Sequence, residues 1–393
     1  MDRVDSLEVP RSSGAREPWG SPPWRIHPEF PQRSLPKYVD FAIVGGGFTG
    51  LAAAAWLRFL APKKSVAVLE AGAIGAGASG RTGGIVLAET AAGELPGLGD
   101  VLAGMSRVLR DLERACGFSL VEGCELTLQG AWEIGRSGGT ASSPIEWNDS
   151  GTLRVVNEVP GGTLNPGKQV NGLARAAARL GATIAERHRV QEIRWSDPVS
   201  LEFGRGRLQA GKVMFATNAL SLELSGLRGA AHPKLTLAAR TAPMTRKELE
   251  KIGLAAGKPF YTVDFPYLWG RICSDNSIIW GAGLADAPPS GDLGKVAVSR
   301  GRAAGMFASL ENRVHALHPA LANARFTHRW GGPIAFRSDF LPVFASHPRS
   351  SNGLVLGVFA GHGVALSVYL GAWAAEALLG RRNMPEWGRV VAK

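Results

Sequence analysis

The chain has 393 residues, 45% of them hydrophobic and 20% charged, which excludes a wholly disordered polypeptide. Three cysteines, Cys116, Cys124 and Cys273, exclude a disulfide scaffold and lack the spacing of a metal site. The net charge of +11 raises nucleic acid and anionic surfaces as partners, and the length suggests two domains.

Residues 1–37 are poor in aliphatic side chains and rich in Pro, Arg and Ser. They lack the apolar core of a signal peptide and read as a tail that either wraps the surface or stays loose, with Trp19, Trp24 and Phe30 as candidate anchors. Residues 41–61 and 353–380 are apolar enough to imitate membrane helices. Each is interrupted by glycines, at Gly45-Gly46-Gly47 and around His362, so each reads better as strand, turn and helix. The expectation is a soluble cytoplasmic protein with no membrane span.

Asp40–Val44 is an apolar strand, followed at once by Gly45-Gly46-Gly47-Phe48-Thr49-Gly50 and an Ala-rich helix over 51–60. A second strand, 65–69, ends in Glu70. This is the βαβ setting that a GxGxxG needs. Gly45 permits the tight turn, Gly47 lets backbone approach a pyrophosphate, and Gly50 lets helix pack on strand. The helix start attracts phosphate, and Glu70 is placed to accept ribose hydroxyls. A second glycine-rich loop, 75–84, follows.

An apolar stripe predicts a helix over 98–117, and another predicts one over 169–180. Strands are expected at 181–184, 189–193 and 213–215. From about residue 230 the pattern becomes antiparallel, with strands at 260–272 and 277–282 around the turn Ser274-Asp275-Asn276, then a helix over 292–317. Tyr261, Asp264, Tyr267, Trp269 and Arg271 are the candidate pocket residues of that sheet, and Tyr267, Trp269 and Arg271 share a face by period two. A last strand, 353–359, leads into a helix opening at Gly361-His362-Gly363-Val364.

Val68–Gly84, VLEAGAIGAGASGRTGG, resembles the corresponding segment of the D-amino-acid oxidase (DAO) superfamily of FAD oxidoreductases, in particular its gamma-glutamylputrescine oxidoreductase-like amine oxidase branch. The resemblance continues through Val190, through Val213–Ala219, through the Trp330–Val343 segment and through Ala360–Leu366. It implies an α/β fold (α+β overall), in which a Rossmann-like FAD-binding domain carries an inserted antiparallel-sheet substrate domain. The expected division is a tail, 1–37; a discontinuous FAD-binding domain, 38–221 and 328–393; and a substrate domain, 222–327, which part of 85–160 can join.

The resemblance also implies the FAD contacts. To Gly45, Gly47, Phe48, Thr49, Gly50 and Glu70 it adds Ala71, Gly77, Ala78, Ser79, Arg81, Thr82, Gly83 and Gly84. Further on it adds Val190, Thr217, Asn218, Gly361, His362, Gly363 and Val364. His362 is either a spacer at the helix start or a side chain at the flavin edge. The position of a flavin-bonding cysteine in sarcosine-oxidase-like members is Gly332 here, and 85–90 contains no histidine, so non-covalent FAD is expected. Where glycine and D-amino-acid oxidases carry a carboxylate-gripping arginine, this chain has Ile334. That shifts the expected substrate from an α-amino acid toward an amine, or an amine carrying a remote polar group. Arg337 remains a further pocket candidate, and no catalytic base is assigned.

The implied activity is FAD-dependent oxidation of a C–N bond in an amine or amino-acid derivative. It proceeds by hydride transfer to flavin N5, imine hydrolysis, and reoxidation by dioxygen to hydrogen peroxide. The alternatives are a dehydrogenase with another electron acceptor and a tRNA-base-modifying member of the superfamily. Scattered rather than clustered basic residues argue against nucleic acid.

Overall fold

The computed structural model describes residues 18–31, 33–140, 142–288 and 290–389. Its first strand, Tyr38–Val44, lies inside a largely parallel sheet, flanked in parallel by Val66–Leu69 and Gly206–Phe215. Thr183–Ala185 extends the sheet beyond Val66–Leu69, and Ser350–Gly357 extends it beyond Gly206–Phe215, both in parallel. Val44 pairs with both Leu69 and Phe215, and Phe215 pairs with Val355. This register brings the ends of four strands to one edge, where ligands bind in open α/β sheets.

Among the described residues six α-helices occur. They are α1 (Phe48–Leu60), α2 (Val101–Cys116), α3 (Pro166–Arg179), α4 (Arg246–Lys251), α5 (Gly301–Leu317) and α6 (Gly363–Leu378). α1, α2, α3 and α6 share one apolar core with Ile43, Val68 and Met214 of the parallel sheet. α1 and α6 meet through small residues: a Cβ on Gly371 would lie 2.8 Å from the Thr49 carbonyl oxygen. Neither they nor any other described helix is long and apolar enough to cross a membrane. The glycine interruptions that argued against spans at 41–61 and 353–380 are strand-to-helix turns.

A second sheet has the order Phe326–Phe336, His232–Thr241, Ile278–Asp286, Leu268–Ile272, Phe260–Thr262, Ala131–Gly135, Thr152–Val159, Trp147–Asn148. Its pairings are antiparallel except that of Phe260–Thr262 with Ala131–Gly135. Trp147, Phe260 and Trp280 are buried and pack ring against ring within 5.5 Å between centroids. Sheet membership therefore reaches outside 222–327. Residues 131–159 supply three strands, and Phe326–Phe336 runs past the expected boundary at 328 before the chain returns to the parallel sheet.

Three expected elements differ. The strand over 260–272 divides into Phe260–Thr262 and Leu268–Ile272. The intervening 263–267 contains Pro266, which has no N–H for the ladder. The helix over 292–317 starts only at Gly301; Asp292 instead caps a short 3-10 turn, Leu293–Lys295. The strand at 189–193 lies at Glu192–Arg194, which frees His188–Val190 to reach the cavity described below.

Of the tail, residues 1–17 and Gln32 lie outside the described residues. Trp19 donates its indole N–H to the Leu293 carbonyl (2.8 Å), and Trp24 donates to the Gly80 carbonyl (2.7 Å). Phe30 packs on the helical core. These are the anchoring roles expected of the three aromatics.

Candidate functional site

A cavity of about 1090 Å³ opens where the two sheets face each other. That exceeds the usual roughly 300–1,000 Å³ of a single small-molecule site. One end is walled by the strand ends of the parallel sheet, the other by the second sheet.

The first end is mostly backbone. Gly45 has φ +112°, and a Cβ there would lie 2.6 Å from the Ala216 carbonyl oxygen. On Gly47 a Cβ would lie 2.7 Å from Ser79 Oγ. That hydroxyl accepts the Phe48 N–H at 2.8 Å and so ties the second glycine loop to the start of α1. Both Glu70 carboxylate oxygens are oriented by backbone: Gly46 N–H donates to Oε2 and Gly72 N–H to Oε1, each at 2.8 Å. One acceptor direction on each oxygen then remains for another ligand.

Two helices begin at this wall. α1 starts at Gly47 and α6 at His362, and neither has a side-chain cap. By contrast, α2, α3 and α4 are capped by Asp100, Asn165 and Thr245. α5 is also uncapped, but it starts at exposed residues away from the cavity. Free N–H groups at a helix start, with the positive end of its dipole, hold anions.

The turn before α6 is strained. Val358 and Ala360 have φ +60° and +49°, which side chains seldom adopt. Asn218, itself at φ +48°, accepts the Val358 N–H on Oδ1 at 2.8 Å. His362 is held below the usual imidazole range by burial, despite its contact with the Ala360 carbonyl and the field of Glu89.

The other end is a chamber of side chains. Tyr261, Tyr267 and Trp269 line it, as do Leu87, Thr236, Leu284, Ile334, Phe336 and Phe340. Phe265 and Tyr267 stack at 4.2 Å between centroids. Tyr261 is pushed above the ordinary phenol range by burial and by the charges of Glu89 and Glu133. Its hydroxyl lies within hydrogen-bond distance of both carboxylates.

Most residues singled out in the sequence meet here. Gly45, Gly47, Phe48, Thr49, Glu70, Ala71, Gly77, Ala78, Ser79, Arg81, Thr82 and Gly83 all line the cavity. So do Val190, Thr217, Asn218, Gly361, His362, Gly363, Val364 and Arg337. Gly50 stands one layer behind, where a Cβ would lie 2.0 Å from the Gly45 carbonyl oxygen; it sets the helix-to-strand approach. Gly84 is also behind the surface, at φ +80° against the Leu164 carbonyl.

Two pocket candidates are displaced. Arg271 does not line the cavity: it is buried under the glycine loop, where its Nε–H donates to the Gly83 carbonyl. It does share the face of Trp269, but that face meets the loop before it meets the chamber; Trp269 itself covers Gly83. Asp264 is turned away and accepts the Arg136 N–H at 2.7 Å. Arg81 lines the cavity, while its guanidinium donates to the carbonyls of Ala76 (3.0 Å) and Gly20 (2.7 Å).

Glu89, Lys234, Thr236, Leu284 and Phe340 were not singled out in the sequence. They come from separate bends and strands with no shared motif. The only local signal was that Glu89 follows soon after Gly83-Gly84.

The match to known families agrees with this geometry. Residues 40–377 match the family model described as FAD dependent oxidoreductase, DAO. The chain is 25% identical to "Probable oxidoreductase OrdL" of Rhizobium meliloti (strain 1021), over 90% of this chain and 86% of that protein. It is 24% identical to "Gamma-glutamylputrescine oxidoreductase" of Escherichia coli (strain K12), over 87% and 84% respectively. Among solved structures, glycine oxidase from Geobacillus kaustophilus superposes with a TM-score of 0.68 at 20% identity, over 91% of this chain and all of that one. L-proline dehydrogenase from P. horikoshii gives 0.67 at 18% identity, over 90% and 97%. The chain belongs to the DAO family of FAD-dependent oxidoreductases, and its fold is the mixed α/β fold of these structures.

Proposed function

We propose that this member of the FAD-dependent oxidoreductases oxidises the C–N bond of an amine. One observation carries the reading: a single cavity joins a backbone cradle for a dinucleotide to a largely apolar chamber for a small molecule. The cradle fits FAD. The Gly45–Gly47 turn and the start of α1 would hold the diphosphate, Glu70 a ribose, and 361–364 with the start of α6 a further electron-rich part of the cofactor. Gly332 lines the cavity and none of the three cysteines does, which favours non-covalent binding.

FAD, when bound, supplies the acceptor for the hydride and passes two electrons on to dioxygen or another acceptor. The protein's own work is placement and proton control. An amine can give up a hydride only as the free base. His362, kept neutral near pH 7 by burial, has Nδ1 near the Ala360 carbonyl (3.4 Å) and no hydrogen bond to Nε2 among the described residues. Nε2 can therefore accept a hydrogen bond from the free amine and orient it. The apolar chamber wall excludes water and favours the uncharged amine. Ile334, at the cavity wall, offers an α-carboxylate no partner.

The test is loss of flavin absorbance under anaerobic conditions across amines, N-methyl amino acids and D-amino acids. Rapid bleaching by amines is expected. Bleaching by simple D-amino acids in preference to amines would contradict the reading.

A further inference from the structure

On the chamber side of the cavity, each lining cation already has a protein partner. Lys234 Nζ lies 2.6 Å from Asp286 Oδ1. Arg337 lies 2.6 Å from Asp339 Oδ2 and donates to the Arg389 carbonyl at 3.1 Å. Arg81 donates to backbone carbonyls. Arg189 and His188 line the opposite end, beside Glu70.

Glu89 is different. It stands on the bend after the strand Ile85–Leu87, beside a turn held by the bond from Thr90 Oγ1 to the Gly93 carbonyl (2.7 Å). It lines the cavity and makes no ion pair among the described residues. Its hydrogen-bond partner is the Tyr261 hydroxyl, at 3.1 Å. The same hydroxyl lies 2.9 Å from Glu133 Oε1. A phenol has one proton, so only one carboxylate receives it. Glu133 also has a donor on its other oxygen, the Asn157 amide at 3.0 Å, whereas Glu89 has no second donor among the described residues. Proton donation to the nearer Glu133 leaves Glu89 facing the cavity with no donor of its own among the described residues. His362 does not offset that charge near pH 7, because burial keeps its imidazole neutral. A carboxylate drawn partly out of water without a cation is costly, and a ligand cation removes the cost.

We propose that Glu89 receives a second positive charge of the substrate, remote from the carbon that is oxidised. The substrate class is then a diamine or other dicationic amine, not an amine ending in a carboxylate. The assignment rests on the reading of the chain as an amine oxidoreductase. The reacting nitrogen itself is not the partner of Glu89, because an adjacent carboxylate would hold it as the unreactive ammonium.

Binding to the flavin-loaded protein is measured by calorimetry with amines whose α carbon carries no hydrogen, so that none is oxidised. The probes cover a range of spacer lengths and end in an ammonium, a methyl or a carboxylate. The ammonium series should bind roughly ten- to a hundredfold tighter than the methyl series at its best spacer, with the carboxylate series weakest. Glu89→Gln should erase that advantage, and Glu133→Gln should keep most of it. Equal or tighter binding of the methyl or carboxylate series by the unmodified protein overturns the inference, as does an advantage that survives Glu89→Gln.

Anaerobic bleaching by the oxidisable counterparts separates the two levels. Bleaching by monoamines with no gain for diamines keeps amine oxidation and discards the Glu89 assignment. A binding advantage without bleaching by any amine keeps the cation site and discards amine oxidation.

Discussion

Where the parallel sheet meets the cavity, the wall is backbone: Gly45, Gly47, the uncapped starts of α1 and α6, and a carboxylate fixed by two N–H groups. Where the second sheet meets it, the wall is side chain: Tyr261, Tyr267, Leu284 and Phe336, set on strands and loops far apart in the chain. Backbone recognition tolerates almost no added atom, since a Cβ occupies the ligand's place or strikes a carbonyl. Side-chain recognition tolerates exchange and changes with it. Substitutions in the cradle should therefore cost the cofactor, and the fold as well where the new Cβ strikes a carbonyl, and those in the chamber should change the substrate and leave the cofactor.

The largest break in this comparison is expected from Gly50→Val. Its Cβ would lie 2.0 Å from the Gly45 carbonyl oxygen and 3.1 Å from Ile43 Cγ2, forcing helix from strand at a cost of about 3 kcal/mol or more. Thermal melting should show a large fall in Tm, and the purified variant should hold little FAD. Next is Trp269→Ala, at the seam of the two regions. Its ring covers Gly83 and Gly281, and its removal should cost about 3 kcal/mol by denaturant titration and loosen FAD as well. A cradle unaffected by this change would mean that the two regions are independent.

A smaller effect concerns pH. Burial holds both His347 and His362 below the usual imidazole range. Below about pH 6.5 the unfolded chain takes up protons that the folded chain refuses, so stability falls as pH falls through that range. Tm measured from pH 7.5 to pH 5 should decline, and His347→Gln should flatten the decline. The smallest effect on stability is expected at the chamber mouth. Phe265 is 75% and Tyr267 50% exposed, so Phe265→Ala should change stability by less than about 0.5 kcal/mol. FAD content should be unchanged, while KM for the amine shifts several-fold.

The same division explains what was legible in the sequence. A pyrophosphate turn requires glycine at Gly45, Gly47 and Gly50 and an acid after the second strand, so the cradle is written as one contiguous motif. The glycine loop ending at Gly83-Gly84 and the turn around His362 are contiguous too. The chamber has no such grammar. Glu89, Lys234, Tyr261, Leu284 and Phe340 converge only through tertiary structure, from strands and the bends beside them, and period two ranked Arg271 with Trp269 without showing that the loop at Gly83 lies between that face and the chamber. That part of 85–160 can join the second sheet was expected, but its individual strands at 131–159 were not placed, because the sheet recruits them across more than a hundred residues of sequence.

The most direct test of the account is the visible spectrum of the purified protein beside that of Gly47→Leu. A side chain there would occupy the approach to the Gly45–Gly47 turn, beginning with a Cβ 2.7 Å from Ser79 Oγ. The unmodified protein should be yellow and release FAD on denaturation, and Gly47→Leu should fold yet stay colourless with added FAD. An unmodified protein that gains no visible absorbance with FAD, or a Gly47→Leu protein that binds it equally well, would contradict the cradle as drawn.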